Sequence, residues 1–445
     1  MNHALILALM TALFLFFGYS GVPVAFALMG GVFIGTLFTP ISLPSIVGQL
    51  FNGIDSEALM AIPFFLLVGE LMTSANITYR IVDLSKAIVG RMRGGLAQVV
   101  TVFSMVFSGM SGSATADVAV LSRTMAKPMA DEGYDPAFVA ALIAAASTIA
   151  ILIPPSILAV VYGATGNVSI AGLLLGGVLP GFMVGFGLMV YSFFFGPVGI
   201  RQARSSFGQF STAARKAALP LAIPVILIGG VLTGWFTPTE AGVVAIAYIV
   251  VVVLPFLNAA HLRHLPRDLA LAGLLYTLPM ITIAAASAFG WILAYLRGPI
   301  VVAGWMTSVA GNDPARIMFL LVALFVIVGD FIEPIPAIVI FMPIVTKLSQ
   351  DGNIHPVHMG VVLIITLAFG LITPPYGLAL LMASKFLHVR FFRAIKASLP
   401  IYIIFFVTIG VAICFPDLIL WLPKTVFPES VGCFKSPSGA GYVCP

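Results

Sequence analysis

The amino-acid sequence predicts an all-α polytopic membrane protein built from inverted repeats, with two re-entrant helical hairpins and two broken transmembrane helices. Three observations carry this prediction: an apolar composition, long continuous apolar runs, and a set of glycines and prolines that recurs at an offset of 220 residues. The first two observations set the class of protein, and the third sets its internal organisation.

The composition places the chain in a membrane. Of its 445 residues, 60% are hydrophobic and only 8% are charged, whereas a soluble globular chain carries about 25% charged residues. A bilayer core takes roughly 20 apolar residues per helical pass, so the length leaves room for about a dozen passes. Membrane barrel strands would alternate over ~10 residues. The apolar runs here are long and continuous, which predicts helices instead.

The motifs that the sequence lacks argue against several classes of enzyme. It has no P-loop, no serine nucleophile elbow and no HExxH motif, and its three cysteines form no CxxC pair. The pairs His261/His264 and His355/His358 have a metal-like spacing but no neighbouring cysteine, so we expect no metal site there. The first twenty residues lack a basic region and a cleavage site, which indicates a retained first helix.

The placement of lysine and arginine predicts the orientation in the membrane. We assume that the N-terminus is periplasmic, and that segments 97–126 and 316–345 are hairpins that enter the membrane without crossing it. Sixteen basic residues then fall on the cytoplasmic side and five on the periplasmic side, as expected because positive charge concentrates in cytoplasmic loops. The cytoplasmic set is Arg80, Lys86, Arg91, Arg93, Arg123, Lys127, Arg201, Arg204, Arg215, Lys216, Arg263, Arg267, Lys385, Arg390, Arg393 and Lys396. The periplasmic set is Arg297, Arg316, Lys347, Lys424 and Lys435.

The repeat is visible as glycines and prolines at matching positions in the two halves of the chain. A shift of 220 residues superimposes Gly109 on Gly329, Pro136 on Pro356, Pro154–Pro155 on Pro374–Pro375, and Pro180 on Pro400. With the orientation above, the two copies enter the membrane from opposite sides, which makes them inverted repeats. Inverted repeats are typical of secondary transporters, whose sites lie at the repeat interface near the membrane midplane.

The repeat and the charge placement together predict the domain boundaries. The first repeat spans 1–218, with scaffold helices in 1–78, an amphipathic surface helix at 79–96, a hairpin at 97–131, a broken helix at 136–165 and a helix at 170–196. The second spans 219–424, with scaffold helices in 219–296, a hairpin at 316–350, a broken helix at 356–384 and a helix at 398–421. Residues 425–445 form a periplasmic tail.

Two consecutive prolines interrupt each of the predicted broken helices. Each proline frees a carbonyl four residues back, and an unsatisfied carbonyl in hydrocarbon costs several kcal/mol. A bound Na⁺ is one remedy, because a hard cation takes carbonyl and hydroxyl oxygens. The alternative is a simple proline kink, in which a neighbouring helix or a Ser/Thr side chain satisfies the freed carbonyls.

The predicted hairpin tips are small and polar. The first runs from Ser108 to Asp117 as SGMSGSATAD, which suits a tight turn close to an ion or substrate. The second, Gly329 to Pro334, carries two acids in an apolar stretch, and intramembrane acids are usually functional. Close helix packing is the alternative for the small residues. Glu240 follows a Thr-Pro turn and is predicted to cap a helix, while Glu70 fits either a structural or a functional role.

These features lead to a hypothesis of two Na⁺ sites related by the repeat, with an anionic substrate group bound between them at the positive ends of the half-helices. The predicted ion ligands are Ser108, Ser111, Gly112, Ser113, Ser147, Thr148, Ile151, Gly329, Asp330, Gly370 and Thr373. The predicted substrate contacts are Ser113, Thr115, Asp117, Pro154, Pro155, Glu333, Thr366, Pro374 and Pro375. No cofactor or other metal is expected. The alternative coupling ion is a proton taken up by Asp117, Asp330 or Glu333.

Several strings resemble the large membrane subunit of TRAP transporters, the tripartite ATP-independent periplasmic importers. They are GVPVAFALMGG (21–31), AIPFFLLVGELM (61–72), RMRGGLAQVVTVFSMVFSGMSGSATAD (91–117), GYDPAFVAALIAAASTIAILIPPSILAVVYG (133–163), GWFTPTEAGVVAIAY (234–248) and GLITPPYGLALLMAS (370–384). The resemblance covers about residues 3 to 420. One departure is Ala150-Ile151, where family members more often carry a glycine.

The resemblance implies a Na⁺-coupled importer of the bacterial inner membrane that works by an elevator mechanism. Such subunits pair with a small four-helix membrane subunit and a periplasmic substrate-binding protein, and carry organic acids such as a C4-dicarboxylate or a sugar acid. The alternatives are a stand-alone Na⁺- or H⁺-coupled carboxylate symporter of the same superfamily, and a channel. A periplasmic tail would also lie in an oxidising compartment, where we expect Cys433 and Cys444 to pair.

Overall fold

The computed structural model describes residues 3–197, 207–311, 313–432, 434–435 and 442–443. Arg201 and Arg204 of the predicted cytoplasmic segment, and Cys433 and Cys444 of the predicted disulfide, lie outside these residues. The described chain is helical almost throughout, which confirms the predicted all-α class.

The order of elements follows the repeat. The first ten helices are α1 (His3–Tyr19), α2 (Val24–Leu37), α3 (Leu43–Asn52), α4 (Ala61–Ser74), α5 (Thr78–Val89), α6 (Gly95–Ser111), α7 (Ala114–Asp131), α8 (Pro136–Ser147), α9 (Ile157–Gly166) and α10 (Ile170–Phe195). The next eleven are α11 (Phe207–Leu232), α12 (Pro238–Tyr248), α13 (Leu254–Asn258), α14 (Leu265–Tyr295), α15 (Gly298–Ala310), α16 (Pro314–Gly329), α17 (Pro334–Asp351), α18 (Pro356–Gly370), α19 (Leu378–Phe386), α20 (Phe391–Cys414) and α21 (Pro416–Val426). Short 3-10 turns cover Ala58–Met60, Thr148–Ile151, Ala259–His264 and Pro428–Val431, a π-helical turn Ile249–Val253 joins α12 to α13, and β1 (Phe434–Lys435) pairs antiparallel with β2 (Tyr442–Val443).

Helix length separates long spans from interrupted ones. Four continuous helical stretches of the described residues are long and apolar enough to cross a membrane: Ile170–Phe195, Phe207–Leu232, Pro238–Tyr295 and Phe391–Cys414. The helices α4 and α5 meet at a 77° bend and make a fifth if they are taken together. Most hairpin and broken-helix segments are among the shorter apolar helices of 10–17 residues, because glycines and prolines interrupt them.

The two broken helices begin in the same way, 220 residues apart. Pro136 and Pro356 occupy the first helical position, where the missing N–H costs nothing. The side chain before each proline caps the helix: Asp135 Oδ1 accepts from the N–H of Ala137 at 3.3 Å, and Nδ1 of His355 accepts from the N–H of Val357 at 3.2 Å. Burial lowers the pKa of His355, which favours the neutral imidazole that can accept this hydrogen bond.

The first halves of the broken helices form the centre of the molecule. Every residue of α8 after Pro136 and every residue of α18 after Pro356 is buried. A helix that is apolar on all faces must be surrounded by protein or lipid. Here α8 packs against α6, α7, α19 and α20, and α18 packs against α9, α10, α16, α17 and α20.

The second half of each broken helix packs against the other repeat. The helix α9 follows the first break and packs on α17 and α18 of the second repeat, while α19 follows the second break and packs on α7 and α8 of the first. The pairs α6/α7 and α16/α17 each form a helical hairpin. This exchange places both breaks at the interface between the two repeats.

The structure differs from the predicted elements in several places. The surface helix predicted at 79–96 ends at Val89, before the Gly94–Gly95 start of α6. The single helix predicted at 398–421 starts earlier, at Phe391, and is divided in two because Pro416 begins the separate helix α21. Three short helices, α3, α15 and α21, were not predicted individually.

Candidate functional site

Each hairpin tip touches the break of the broken helix in its own repeat. In the first repeat, Gly112 has a φ of 59°, and a Cβ added there would lie 2.5 Å from the carbonyl oxygen of Pro155. In the second repeat, a Cβ on Gly370 would lie 2.9 Å from the carbonyl oxygen of Gly329. Such backbone approaches admit only glycine. The structure thus brings together the tip and break residues that the repeat had singled out.

A buried carboxylate with a free oxygen lies beside the first tip. The hydroxyl of Ser111 donates to Oδ1 of Asp117 at 2.5 Å, and both side chains are fully buried. The other oxygen, Oδ2 of Asp117, has no hydrogen-bond partner among the described residues. A buried acceptor without a partner is rare in folded proteins and calls for a bound ion, a water or a proton.

The other predicted hydroxyls of the first site are hydrogen-bonded to nearby oxygens. Ser108, Ser147 and Thr148 bond the carbonyls of Met105, Ala144 and Ala145 at 2.7–2.8 Å, and Ser113 lies 3.0 Å from the hydroxyl of Thr115. A hydroxyl that donates keeps its acceptor lone pairs. The hydroxyls of Ser108, Ser147 and Thr148 are therefore oriented by these hydrogen bonds and keep their acceptor lone pairs.

Ser156 satisfies one carbonyl that the first break releases, and the sequence analysis missed this residue. Its hydroxyl donates to the carbonyl of Ile151 at 2.6 Å and accepts from the N–H of Ala159 at 3.2 Å, which also caps α9. The signal was present, since a serine after Pro-Pro and before an apolar run is a typical N-cap. For this carbonyl, a side chain supplies the partner that a kinked helix needs.

The second site joins hairpin to break through side chains. The hydroxyl of Thr373 donates to Oδ1 of Asp330 at 2.5 Å, and the carbonyl oxygens of Phe369 and Gly370 lie 3.2 and 3.3 Å away. Three oxygens therefore surround the Thr373 hydroxyl. Thr366, one of the predicted substrate contacts, is buried and bonds the carbonyl of Val362 within its own helix at 2.8 Å.

Tyr402 satisfies a different carbonyl at the second break. Its phenol donates to the carbonyl of Ile372 at 2.9 Å and accepts from the hydroxyl of Ser398 at 3.0 Å. This residue lies on α20, thirty positions from the carbonyl it satisfies. No local pattern in the sequence signals such a contact.

The two breaks differ in exposure. Pro154 and Pro155 are buried, whereas Pro374, Pro375 and the following Tyr376 are exposed. Glu333 precedes α17 without capping it and is partly buried. The second break therefore lies at the surface of the chain in this conformation, while the first break is enclosed by protein.

Glu240 and two of the histidines that the sequence singled out have structural partners. Glu240 and Thr237 form a reciprocal capping box at the start of α12, which confirms the predicted role of Glu240. His261 bonds Asp268 at 2.7 Å and Ser74 at 3.1 Å, and His358 bonds the carbonyl of Ala412 at 2.7 Å. Within the described residues there is no group of three or more His, Cys, Asp and Glu side chains that could hold a metal.

Comparison with known proteins identifies the family. The family model for the tripartite ATP-independent periplasmic transporter, DctM component, matches residues 8–418. The chain belongs to this family. The match covers the hairpins and breaks described above, so the resemblance predicted from the sequence is confirmed.

Individual TRAP relatives are similar over almost their whole length. The C4-dicarboxylate TRAP transporter large permease DctM of Pseudomonas aeruginosa is 36% identical over 390 residues, covering 87% of this chain and 91% of the relative. The sialic acid TRAP transporter large permease SiaM of Vibrio cholerae is 34% identical over 414 residues, covering 91% and 96%. The 2,3-diketo-L-gulonate TRAP transporter large permease YiaN of Escherichia coli is 31% identical over 405 residues, covering 90% and 95%.

A solved structure shares the fold. The crystal structure of the YdaH transporter of Alcanivorax borkumensis, which has an unusual topology, superposes with a TM-score of 0.60 over 86% of this chain and 88% of that one. Its sequence identity is 14%, so this likeness concerns the fold alone.

Proposed function

We propose that this chain is the large transmembrane subunit of a TRAP-type secondary transporter in the bacterial inner membrane, and that it imports an organic acid by Na⁺ symport. Its partners would be a small four-helix membrane subunit and a periplasmic substrate-binding protein. The relatives named above transport a C4-dicarboxylate, sialic acid and 2,3-diketo-L-gulonate. All three are carboxylates, so a carboxylate is the expected substrate class.

The observation that carries the Na⁺ assignment is the partnerless Oδ2 of the buried Asp117. A Na⁺ bound there would receive the carboxylate oxygen together with hydroxyl and carbonyl oxygens of the tip and the break. Ser111, which bonds the other carboxylate oxygen, Ser113 of the same tip, and the carbonyl oxygen of Pro155, which lies against Gly112, are the proposed further ligands. Such an all-oxygen set suits a hard cation. Asp117 moves in this proposal from the substrate contacts to the ion ligands.

The second Na⁺ site is proposed at Asp330. Thr373 already gathers the Asp330 carboxylate and the carbonyls of Phe369 and Gly370 around one hydroxyl. The close approach of Gly329 to Gly370 brings the tip backbone to the same place. These oxygens could be shared between the hydroxyl and a cation.

The substrate is proposed to bind at the second break, between the ions. The helix α19 starts there, and the positive end of a helix attracts a carboxylate. Pro374 and Pro375 are exposed beside this helix start. Thr115, Glu333, Thr366, Pro154 and Pro155 remain proposed contacts of the substrate in other conformations of the cycle.

The transport domain is proposed to be the two hairpins and the two broken helices, moving as an elevator. The exchange of α9 and α19 between repeats interlocks these elements into one packing unit. The scaffold would comprise α1–α4, with α5 as its surface helix, and α11–α14. The predicted orientation, with 79–96, 197–218, 258–268 and 385–397 cytoplasmic, belongs to this proposal.

Uptake by the complete three-component system in proteoliposomes tests the proposal. We expect accumulation of a carboxylate under an inward Na⁺ gradient, and none when the substrate-binding protein is omitted. Uptake without the binding protein would support the stand-alone symporter instead. Full-rate uptake in Na⁺-free buffer under a pH gradient would assign coupling to a proton on Asp117, Asp330 or Glu333.

A further inference from the structure

Buried polar atoms without a partner are concentrated in the first hairpin. Within the described residues, seven buried side-chain oxygens or nitrogens have no hydrogen-bond partner, and all seven belong to α6 and α7, to the residues that flank them, or to α10 beside them. The helices α16 and α17 of the second hairpin contain none of the seven. A buried polar group without a partner is rare, so such a concentration indicates bound water or an ion.

These atoms lie at three depths along the hairpin. Oδ2 of Asp117 is at the tip, and the hydroxyls of Ser104 on α6 and Ser122 on α7 are in the middle. Ser104 lies eight residues before Gly112, and Ser122 lies nine residues after Ser113. At 1.5 Å per residue, both serines are about 12–14 Å from the turn. The remaining atoms are at the base of the hairpin.

The two middle serines lack the usual partner of a helical serine. A serine within a helix normally donates to a carbonyl three or four residues earlier, as Ser108 does to Met105 at 2.8 Å. Ser104 and Ser122 make no such bond, although their exposed fractions are only 0% and 5%. Their hydroxyls are therefore left for a partner from outside the described chain.

Further polar groups join the three levels along one face of α6. Five fully buried polar residues follow one another there at spacings of three or four residues: Gln98, Thr101, Ser104, Ser108 and Ser111. Residues three and four apart share a helix face. Neighbours are about 4.5–6 Å apart along the axis, close to the roughly 5.5 Å that two hydrogen bonds through one water span.

The base is held together around the start of α6. The side-chain Nε2 of Gln98 donates to the carbonyls of Arg93 and Met189, at 3.2 and 2.9 Å. Ser192 lies three residues after Met189 on α10. The hydroxyl of Tyr134 donates to the carbonyl of Gly94 at 2.7 Å, which holds the loop after α7, with Glu132, against the same point.

The partnerless atoms of the base include both donors and acceptors. Nε of Arg93 only donates, whereas Oε1 of Gln98 and Oε2 of Glu132 accept. The hydroxyl of Ser192 can do both. An anion would leave the acceptors unsatisfied, and a cation would leave the donor unsatisfied. Water satisfies both kinds of group.

We propose that the first hairpin holds bound water at these three levels, and that this water is the route by which the cation at Asp117 exchanges with the cytoplasm. The side chains along the route are buried, so it admits water and a small ion and excludes an organic acid. Ion and substrate therefore leave the protein separately. The identity of the ion and the cytoplasmic direction rest on the proposed function.

Silver ion, a small monovalent cation that bonds to thiols, measures the hydration of the middle level. The variant is Ser104→Cys in a chain whose three native cysteines are serine: Cys414, Cys433 and Cys444. Inside-out vesicles, which expose the cytoplasmic face, receive Ag⁺ in buffer without Na⁺ or chloride. The thiols that remain free are then counted with a maleimide in denaturing detergent.

Val99→Cys is the matched control. Val99 is as fully buried as Ser104 and closer to the base, but the five residues between them place it about 140° around the helix. We expect Ser104→Cys to react at least about tenfold faster, because an ion does not enter a dry helix interface without the solvation that bound water supplies. Equal rates would overturn the proposal.

The other arm of the hairpin repeats the test. Ser122→Cys should react faster than Val120→Cys, which is also buried but lies on the opposite side of α7. This pair decides the question if the Ser104 variant does not fold. The bulkier trimethylammonioethyl methanethiosulfonate should react with none of these cysteines. If it reacts with Ser104→Cys as readily as Ag⁺ does, the hairpin opens as a whole and the route is not restricted to small ions.

A second substitution tests the base as the entrance. Gln98→Leu places an apolar side chain of similar length at the base, and should slow the reaction of Ser104→Cys with Ag⁺ by about fivefold or more. Gln98→Glu keeps an acceptor there and should leave the rate close to that of the parent. An unchanged or faster rate in Gln98→Leu would contradict entry through the base. So would faster labelling of Ser104→Cys in right-side-out vesicles than in inside-out ones.

The labelling requires neither Na⁺ nor substrate, so the two proposals can fail separately. If uptake proves to be proton-driven, the proposed Na⁺ coupling fails while the faster reaction of Ser104→Cys stands. If uptake is Na⁺-coupled but Ser104→Cys and Val99→Cys react alike, the hydrated route fails alone.

Discussion

The hydroxyl of Thr373 donates a 2.5 Å hydrogen bond to Asp330 and so links the second break to the second hairpin tip. The first repeat contains the same chemical pair, Ser111 and Asp117 at 2.5 Å, but both members lie in one hairpin. Separating the second tip from its break must therefore break a side-chain bond. The first tip is held to its break through the backbone: Gly112 packs on Pro155, and the N–H of Ile157 donates to the carbonyl of Gly112 at 3.5 Å.

Removal of the Thr373 hydroxyl should weaken Na⁺ activation. Thr373→Val keeps the shape but loses the donor that holds Asp330. A hydrogen bond to a charged group contributes roughly 1.5–3 kcal/mol, so the Na⁺ concentration for half-maximal uptake should rise by about tenfold or more. Thr373→Ser should stay near the wild-type value. An unchanged Na⁺ dependence in the valine variant would show that this hydroxyl plays no part in ion binding.

Neutralising Asp117 should be more damaging than neutralising a surface acid of the same helix. Asp117→Asn removes the buried charge proposed to bind Na⁺, and we expect the half-maximal Na⁺ concentration to rise at least tenfold, or uptake to disappear. The control is Asp131→Asn, at the exposed end of α7. The assignment fails if the two variants have the same Na⁺ dependence in matched proteoliposomes.

The first tip should not tolerate a methyl group. Gly112 and Gly133 both have positive φ, but a Cβ on Gly112 would overlap the carbonyl oxygen of Pro155, while a Cβ on Gly133 meets nothing within 4 Å. Each Gly→Ala change pays the same conformational penalty of about 1 kcal/mol. Uptake should be lost in Gly112→Ala and largely kept in Gly133→Ala. Comparable activity of the two would argue against a close tip-to-break contact.

Ser156 should contribute to stability rather than to ion affinity. Ser156→Ala removes the cap of α9 and leaves the Ile151 carbonyl without its partner, which should lower the free energy of unfolding by about 2 kcal/mol. Ser169→Ala removes only the cap of α10 and should cost about 1 kcal/mol. Thermal unfolding of the purified variants in detergent gives the comparison. If the Ser156 variant is as stable as the Ser169 variant, the hydrogen bond from Ser156 to the Ile151 carbonyl does not contribute to stability.

The sequence revealed the features that depend on local chemistry. Pro154–Pro155 and Pro374–Pro375 mark the breaks because proline cannot donate a backbone hydrogen bond, and Gly112 marks a turn with positive φ. The helix cap that involves Glu240 was also predictable from the sequence, because its partner Thr237 is only three residues away. These signals were sufficient to predict the hairpins and the broken helices.

Features that depend on long-range packing were not predictable from one sequence. The contact of Tyr402 with the Ile372 carbonyl joins separate helices, and the exchange of α9 and α19 between repeats has no local signature. The sequence also gives no sign that Pro374 is exposed and Pro154 buried, because the two Pro-Pro motifs have the same local pattern. The match at a 220-residue offset predicted symmetry, and the differences between the repeats appear only once the helices are packed.

The Na⁺-to-substrate stoichiometry tests the central claim of two repeat-related ion sites most directly. In proteoliposomes containing the complete system, the substrate gradient that just balances an imposed Na⁺ gradient gives the number of ions carried per molecule. We predict at least two Na⁺ per organic acid, falling by one in Asp117→Asn if that variant still transports. Accumulation that is insensitive to the Na⁺ gradient and follows the pH gradient would contradict the account.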